Sequence, residues 1–166
     1  MKKIIFSLVL LFCLCVGAMA QTKVSFNGPI GIDWTFKRSF MHGNTLVMDF
    51  VVENNTSKDL MDFGVNRDGF DEQSNHYGIT AYDDEGNIYA GDYSSNQIAV
   101  SVANQPNYNS VNLPIGNVVK VRMQIKDIDE FATKITTLMA PVMISGRMVM
   151  PGYVLRVTNI PIPREE

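Results

Sequence analysis

Three residue patterns usually carry chemistry in a short chain: a nucleophile beside a histidine, a pair of carboxylates, and a metal-ligand cluster. The chain holds two histidines, His42 and His76, and two cysteines, Cys13 and Cys15. There is no Gly-x-Ser-x-Gly elbow, and Ser145 in Ile144-Ser145-Gly146 lacks the flanking glycine that this turn needs. Without a motif around them, the histidines are expected on surface loops, and a small secreted hydrolase using them or the loop acids is the alternative function.

The acids fall into three clusters: Asp68, Asp71 and Glu72; Asp83, Asp84 and Glu85; and Asp127, Asp129 and Glu130. A glycosidase needs two carboxyls facing one sugar bond. Each cluster instead lies in an expected loop, turn or helix start, where acids serve solubility, turn geometry and capping. None matches the twelve-residue calcium loop with its glycine at the sixth position, although irregular oxygen sites for calcium stay open. No cofactor is expected.

Methionine is more unusual, with ten residues. Met139, Met143, Met148 and Met150 fall close together, and Met41 adjoins His42. Thioether and imidazole ligands suit Cu(I), so Met41, His42, Met143, Met148 and Met150 form the alternative metal set. The favoured explanation is that methionine fills irregular gaps in a core, as expected for Met48 and Met123.

Among aromatics, Trp34 shares a face with Ile30, Ile32 and Phe36, which predicts core packing. Tyr93 and Tyr108 lie in polar stretches with Asn96, Asn107 and Asn109. Tyr93, Asn96, Tyr108, Asp71 and His76 are therefore the candidate ligand-contact residues. Their partner is expected to be a protein, peptide or glycan.

These side chains need elements to hold them. The chain has 166 residues, 46% apolar and 19% charged, enough for one globular domain. Lys plus Arg number 14 against 17 Asp plus Glu, so no basic surplus exists for phosphates, and nucleic acid is not an expected partner.

Met1-Lys2-Lys3, the apolar run Ile4 to Val16, and Ala18-Met19-Ala20 follow the order of a secretory signal peptide. Residues 1–20 are expected to be cleaved after Ala20, leaving residues 21–166 as one domain, periplasmic or extracellular. The apolar run is shorter than the roughly 20 residues that span a bilayer, so no membrane span is expected after cleavage. Both cysteines would leave with it. Burial alone must then stabilise the fold.

Period-two alternation dominates the remainder. It is clear at Ile30, Ile32, Trp34 and Phe36; at Leu46, Met48, Phe50 and Val52; at Val119, Val121, Met123 and Ile125; and at Tyr153, Leu155 and Val157. Weaker strands are expected at Lys23 to Phe26, Leu60 to Val65, Gly78 to Tyr82, Asn87 to Ala90, Gln97 to Val102 and Ile135 to Met139. Asp83-Asp84-Glu85-Gly86 should turn a hairpin, with Gly86 left-handed. The only helix candidate is Asp127 to Lys134, with Ile128 and Phe131 inward. Asn66 to Tyr77 and Ala103 to Asn112 read as long loops, the candidate contact loops at one end of the molecule.

The fold expected is all-β: an immunoglobulin-like, two-sheet antiparallel β-sandwich with at most one short helix, a small barrel being the alternative. The segments Gly43 to Asn54, Ala81-Tyr82-Asp83-Asp84-Glu85-Gly86-Asn87-Ile88-Tyr89, Leu113-Pro114 before a Lys-Val strand, and Asn159-Ile160-Pro161-Ile162 strengthen this. In that order the chain resembles uncharacterised exported bacterial immunoglobulin-like sandwich domains of the DUF4352-like kind, over about Ile30 to Ile162. The resemblance implies the fold and brings no catalytic residues. The function expected is a non-catalytic binding or structural module.

Overall fold

A computed structural model of the chain describes residues 21–67, 78–91, 97–106, 110–144 and 152–164. The expected leader and its cleavage site lie outside them. The described residues form two antiparallel sheets and no helix. In chain order the strands are β1 (Lys23–Phe26), β2 (Ile32–His42), β3 (Thr45–Asn54), β4 (Leu60–Val65), β5 (Thr80–Asp83), β6 (Ile88–Ala90), β7 (Ile98–Val102), β8 (Gln105–Pro106), β9 (Ser110–Leu113), β10 (Val118–Ile125), β11 (Lys134–Met143) and β12 (Tyr153–Pro161).

One sheet runs β2-β3-β10-β7-β8. The other runs β1-β12-β11 and then forks: β4 with β9 borders Val142 and Met143, while β5 with β6 borders Ile135 to Met139. The forking follows from length, because β11 spans ten residues and each neighbour only part of it.

The alternating rows form the core. In β3 and β10, Met48 faces Met123 and Phe50 faces Val121, all buried. In the opposite sheet, Leu138 and Ala140 of β11 meet Val157 and Leu155 of β12. Burying each large side chain contributes roughly 1.5–3 kcal/mol, so a change such as Leu138→Ala costs about 2–5 kcal/mol. Trp34 joins the layers, its ring 6.2 Å from Phe50 and 5.9 Å from Phe63 of the other sheet. Its core position agrees with the sequence pattern.

Three expectations need correction. Ile30 was expected inward but is fully exposed. The Ile32 N–H bonds back to the Pro29 carbonyl and Gly31 takes φ +93°, so the strand starts only at Ile32. Asp127 to Lys134 is a turn rather than a helix: Asp127 adopts φ +55°, and the Asp129 carboxylate accepts from the Phe131 N–H, closing a local loop before helical bonds can propagate. Ile128 is buried as expected, but Phe131 faces water at 71% exposure. Finally, the stretch Ala103 to Asn112 contains β8 and the start of β9.

Turns secure both ends. At the hairpin end, Gly86 has φ +90° as expected, and β5 pairs with β6 with Tyr82 opposite Ile88, Asp83 belonging to the strand instead of to the loop as the sequence suggests. At the opposite end, the buried Asn54 side chain donates to the Lys58 and Leu113 carbonyls at 2.9 Å each and accepts from the Thr56 N–H and hydroxyl. All its polar capacity is matched, which removes the cost of burying an amide.

Candidate functional site

The sheet face around Phe40 exists because β2 changes phase. Trp34 and Phe36 pair with Val52 and Phe50 on the inward row, but Arg38 pairs with Asp49, one residue out of step. Lys37 is the extra residue of a β-bulge, which re-aims the strand. Ser39 and Met41 then fall on the inward row, opposite Met48 and Leu46, and Phe40 turns outward beside Val47.

Asp49 sits between two guanidiniums. Arg122 Nε donates to Oδ1 at 2.7 Å and Nη2 to Oδ2 at 3.1 Å, while Arg38 Nε reaches Oδ2 at 2.8 Å. The bond from Arg122 holds the Asp49 carboxyl below its ordinary value, against partial burial that pushes it up, with Arg38 adding to the lowering. The same bond raises the Arg122 guanidinium. Both cations also lie over the Phe40 ring, at 5.0 and 5.8 Å from its centre. One carboxylate against two cations leaves this patch net positive.

Next to it, Phe40, Met41, His42, Gly43, Pro163 and Arg164 line an open groove of about 580 Å³. Arg164 closes one side by donating to the Asp129 and Ala132 carbonyls. His42 is exposed at the β2–β3 turn. Sequence patterning did not single out Arg38, Phe40, Asp49 or Arg122. Asp49 and Arg122 occupy outward rows like any solvated residue, and only strand register brings them together.

The Asp83 cluster serves the hairpin. Asp83 is buried; its Oδ1 accepts from the Glu85 and Asn87 N–H groups at 3.0 and 2.8 Å, and its Oδ2 from the Asn87 amide and the Tyr89 hydroxyl at 2.9 and 2.8 Å. Burial pushes this carboxyl up, but the four donors outweigh it and hold it below the ordinary range. Tyr89 in turn accepts from the Asp129 N–H at 3.1 Å, and burial, with Asp83 beside it, pushes its phenol up to about 12. Asp84 takes the Thr133 N–H and hydroxyl and the Lys134 N–H. These acids therefore serve the hairpin turn, as expected, and also fasten it to the Asp127–Lys134 turn. A carboxyl held low and saturated with donors has no proton to lend as a general acid.

Met41 and His42 sit at the hairpin end, beside Pro163 and Arg164. Met143 ends β11, whose first residue Lys134 pairs with Pro161 at that same hairpin end. At ~3.3 Å per residue, nine steps of strand separate the two sites by roughly 30 Å, far beyond a shared coordination sphere. Met148 and Met150 lie outside the described residues. Met48 and Met123 are fully buried, as the packing explanation requires. Among the described residues, no group of three His, Cys, Asp or Glu side chains could hold a metal ion. Among the same residues, no helix is long and apolar enough to cross a membrane.

Tyr93, Asn96, Tyr108, Asp71 and His76 lie outside the described residues. The residues that flank their segments are described. The Ile79 N–H bonds to the Arg67 carbonyl at 3.1 Å, and the Gly91 N–H to the Ile79 carbonyl at 2.7 Å. Arg67, Ile79 and Gly91 thus stand side by side where β4 gives way to β5. Ser110, which follows the third segment, pairs with Gly64 three residues before Arg67.

No protein-family model matches the chain, and no curated protein matches it. Among solved structures, a family 123 glycoside hydrolase from Clostridium perfringens is similar over 82% of this chain at 11% identity, with a TM-score of 0.40. The chain spans about a quarter of that enzyme's length, 26%, and a likeness at this level carries no argument about what the chain does.

Proposed function

We propose that the chain is an exported, non-catalytic binding or interaction module that engages a protein, peptide or glycan outside the cytoplasm through polar segments on one flank. The observation that carries this is the adjacency of Arg67, Ile79 and Gly91, with Ser110 close by on Gly64. The segments bearing Asp71 and His76, Tyr93 and Asn96, and Tyr108 all begin or end there. Rigid strands that gather loop ends are the usual scaffold for recognition. The employment of Asp83, Asp84 and Asp129 in turn bonds favours binding over hydrolysis.

The test immobilises the chain from Gln21 onward and measures binding to a glycan array and to peptide pools by interferometry. A specific ligand whose affinity falls about tenfold or more in Tyr93→Ala/Tyr108→Ala, as expected when stacking aromatics are lost, supports the reading. Binding unaffected by that double variant, or turnover of any bound glycan, overturns it.

A further inference from the structure

Among the described residues β2 pairs with β3 alone, so one edge of this eleven-residue strand carries no partner. The other outer strands β1, β6, β8 and β9 run four residues or fewer. The core is also least closed on this flank. Of the seven half-buried hydrophobics packed on it, five, Val24, Phe26, Trp34, Phe36 and Met41, belong to β1 and β2, the other two being Val111 of β9 and Tyr153 of β12. Phe26 and Trp34 bring these two strands together across the layers, ring to ring at 6.1 Å.

A second copy can extend the sheet here by antiparallel pairing about a two-fold axis normal to the sheet, which sets same-face residues opposite each other. The charges on the strand choose the register. Centring on Asp33 or on Lys37 places identical charges face to face, and centring on Trp34 or Phe36 matches none. Centring on Thr35 sets Asp33 opposite Lys37 of the second copy, twice by symmetry. All three residues are exposed. The bulge after Phe36 ends the straight run at Lys37, so the contact consumes both edges and closes at two copies instead of growing.

We propose that the β2 edge is a homodimer interface, built by antiparallel pairing of Asp33–Lys37 with the same stretch of a second copy. This stands independently of the loop-binding reading.

The test is sedimentation velocity and light scattering on the chain from Gln21 onward, at about 100 µM, a concentration suited to a contact of modest size. A dimer is expected. Asp33→Lys and Lys37→Asp, each creating like-charge pairs, weaken it by on the order of tenfold or more, and the double swap restores it. Circular dichroism confirms that each exposed variant is folded. A monomeric wild type, a dimer indifferent to both reversals, or a swap that fails to restore association overturns the proposal. So does a monomer that takes up an extended foreign peptide on this edge.

Discussion

Asp83 and Asp49 are both carboxylates held below their ordinary range, yet by opposite means. Asp83 is buried and satisfied by four neutral donors within its own hairpin. Asp49 lies on a sheet face between Arg38 and Arg122, whose side chains are 63% and 42% exposed. The contrast separates two sources of stability. A buried acceptor is costly to lose because its donors are stranded away from water, whereas an exposed ion pair is replaced by solvent.

Of the two sites the larger effect should therefore come from Asp83→Ala, which leaves the Tyr89 hydroxyl and two N–H groups without an acceptor and the Asn87 amide with only the Asp129 carboxylate at 3.3 Å. About 3 kcal/mol of stability should be lost, read as a lower urea midpoint at unchanged slope. Asn54→Ala at the opposite end should follow at about 2 kcal/mol for the same reason.

pH sharpens the comparison. Both aspartates have lowered folded values, so their contribution is present above the unfolded value near ~3.9 and is lost as pH falls through the folded ones. Salt should distinguish them, weakening the contribution of Asp49, whose partners are exposed cations, more than that of Asp83, whose donors are neutral. At the alkaline side, Tyr89 is raised to about 12, so its contribution is complete below the unfolded value near ~10 and disappears as pH rises toward 12. Tyr89→Phe should abolish that alkaline loss and remove the latest-titrating tyrosinate absorbance.

The smallest effects belong to the exposed side. Arg122→Ala should cost less than about 1 kcal/mol, shrinking in high salt, and Phe131→Ser should change stability by less than about 0.5 kcal/mol. A loss of several kcal/mol in Arg122→Ala would show that the Phe40 face is shielded in solution.

Where local pattern and tertiary environment agree, as along Leu46 to Val52 and Val119 to Ile125, the strands and their buried faces were legible beforehand. Alternation is a property of the extended backbone, so it survives in any context that buries one face. It does not carry past Lys37, which is exposed as its row predicts, because one extra residue there shifts the period without leaving a compositional mark. It failed at Phe131 too, where a turn replaced the helix that would have carried the ring inward. The acidic hairpin was recognisable as a turn from Gly86 and its neighbours, but nothing local distinguishes the buried Asp83 from the exposed Asp84.

By itself the order of side chains determined the all-β class, the position of most strands and the composition of the core, since each depends on neighbours two residues apart. Tertiary structure alone decided the pairing of Asp49 with Arg122, the placement of Met41 and Met143 at opposite ends of the strands, and, among the described residues, the outer position of the long strand β2. Those depend on register between segments distant in the chain, which no short-range periodicity encodes.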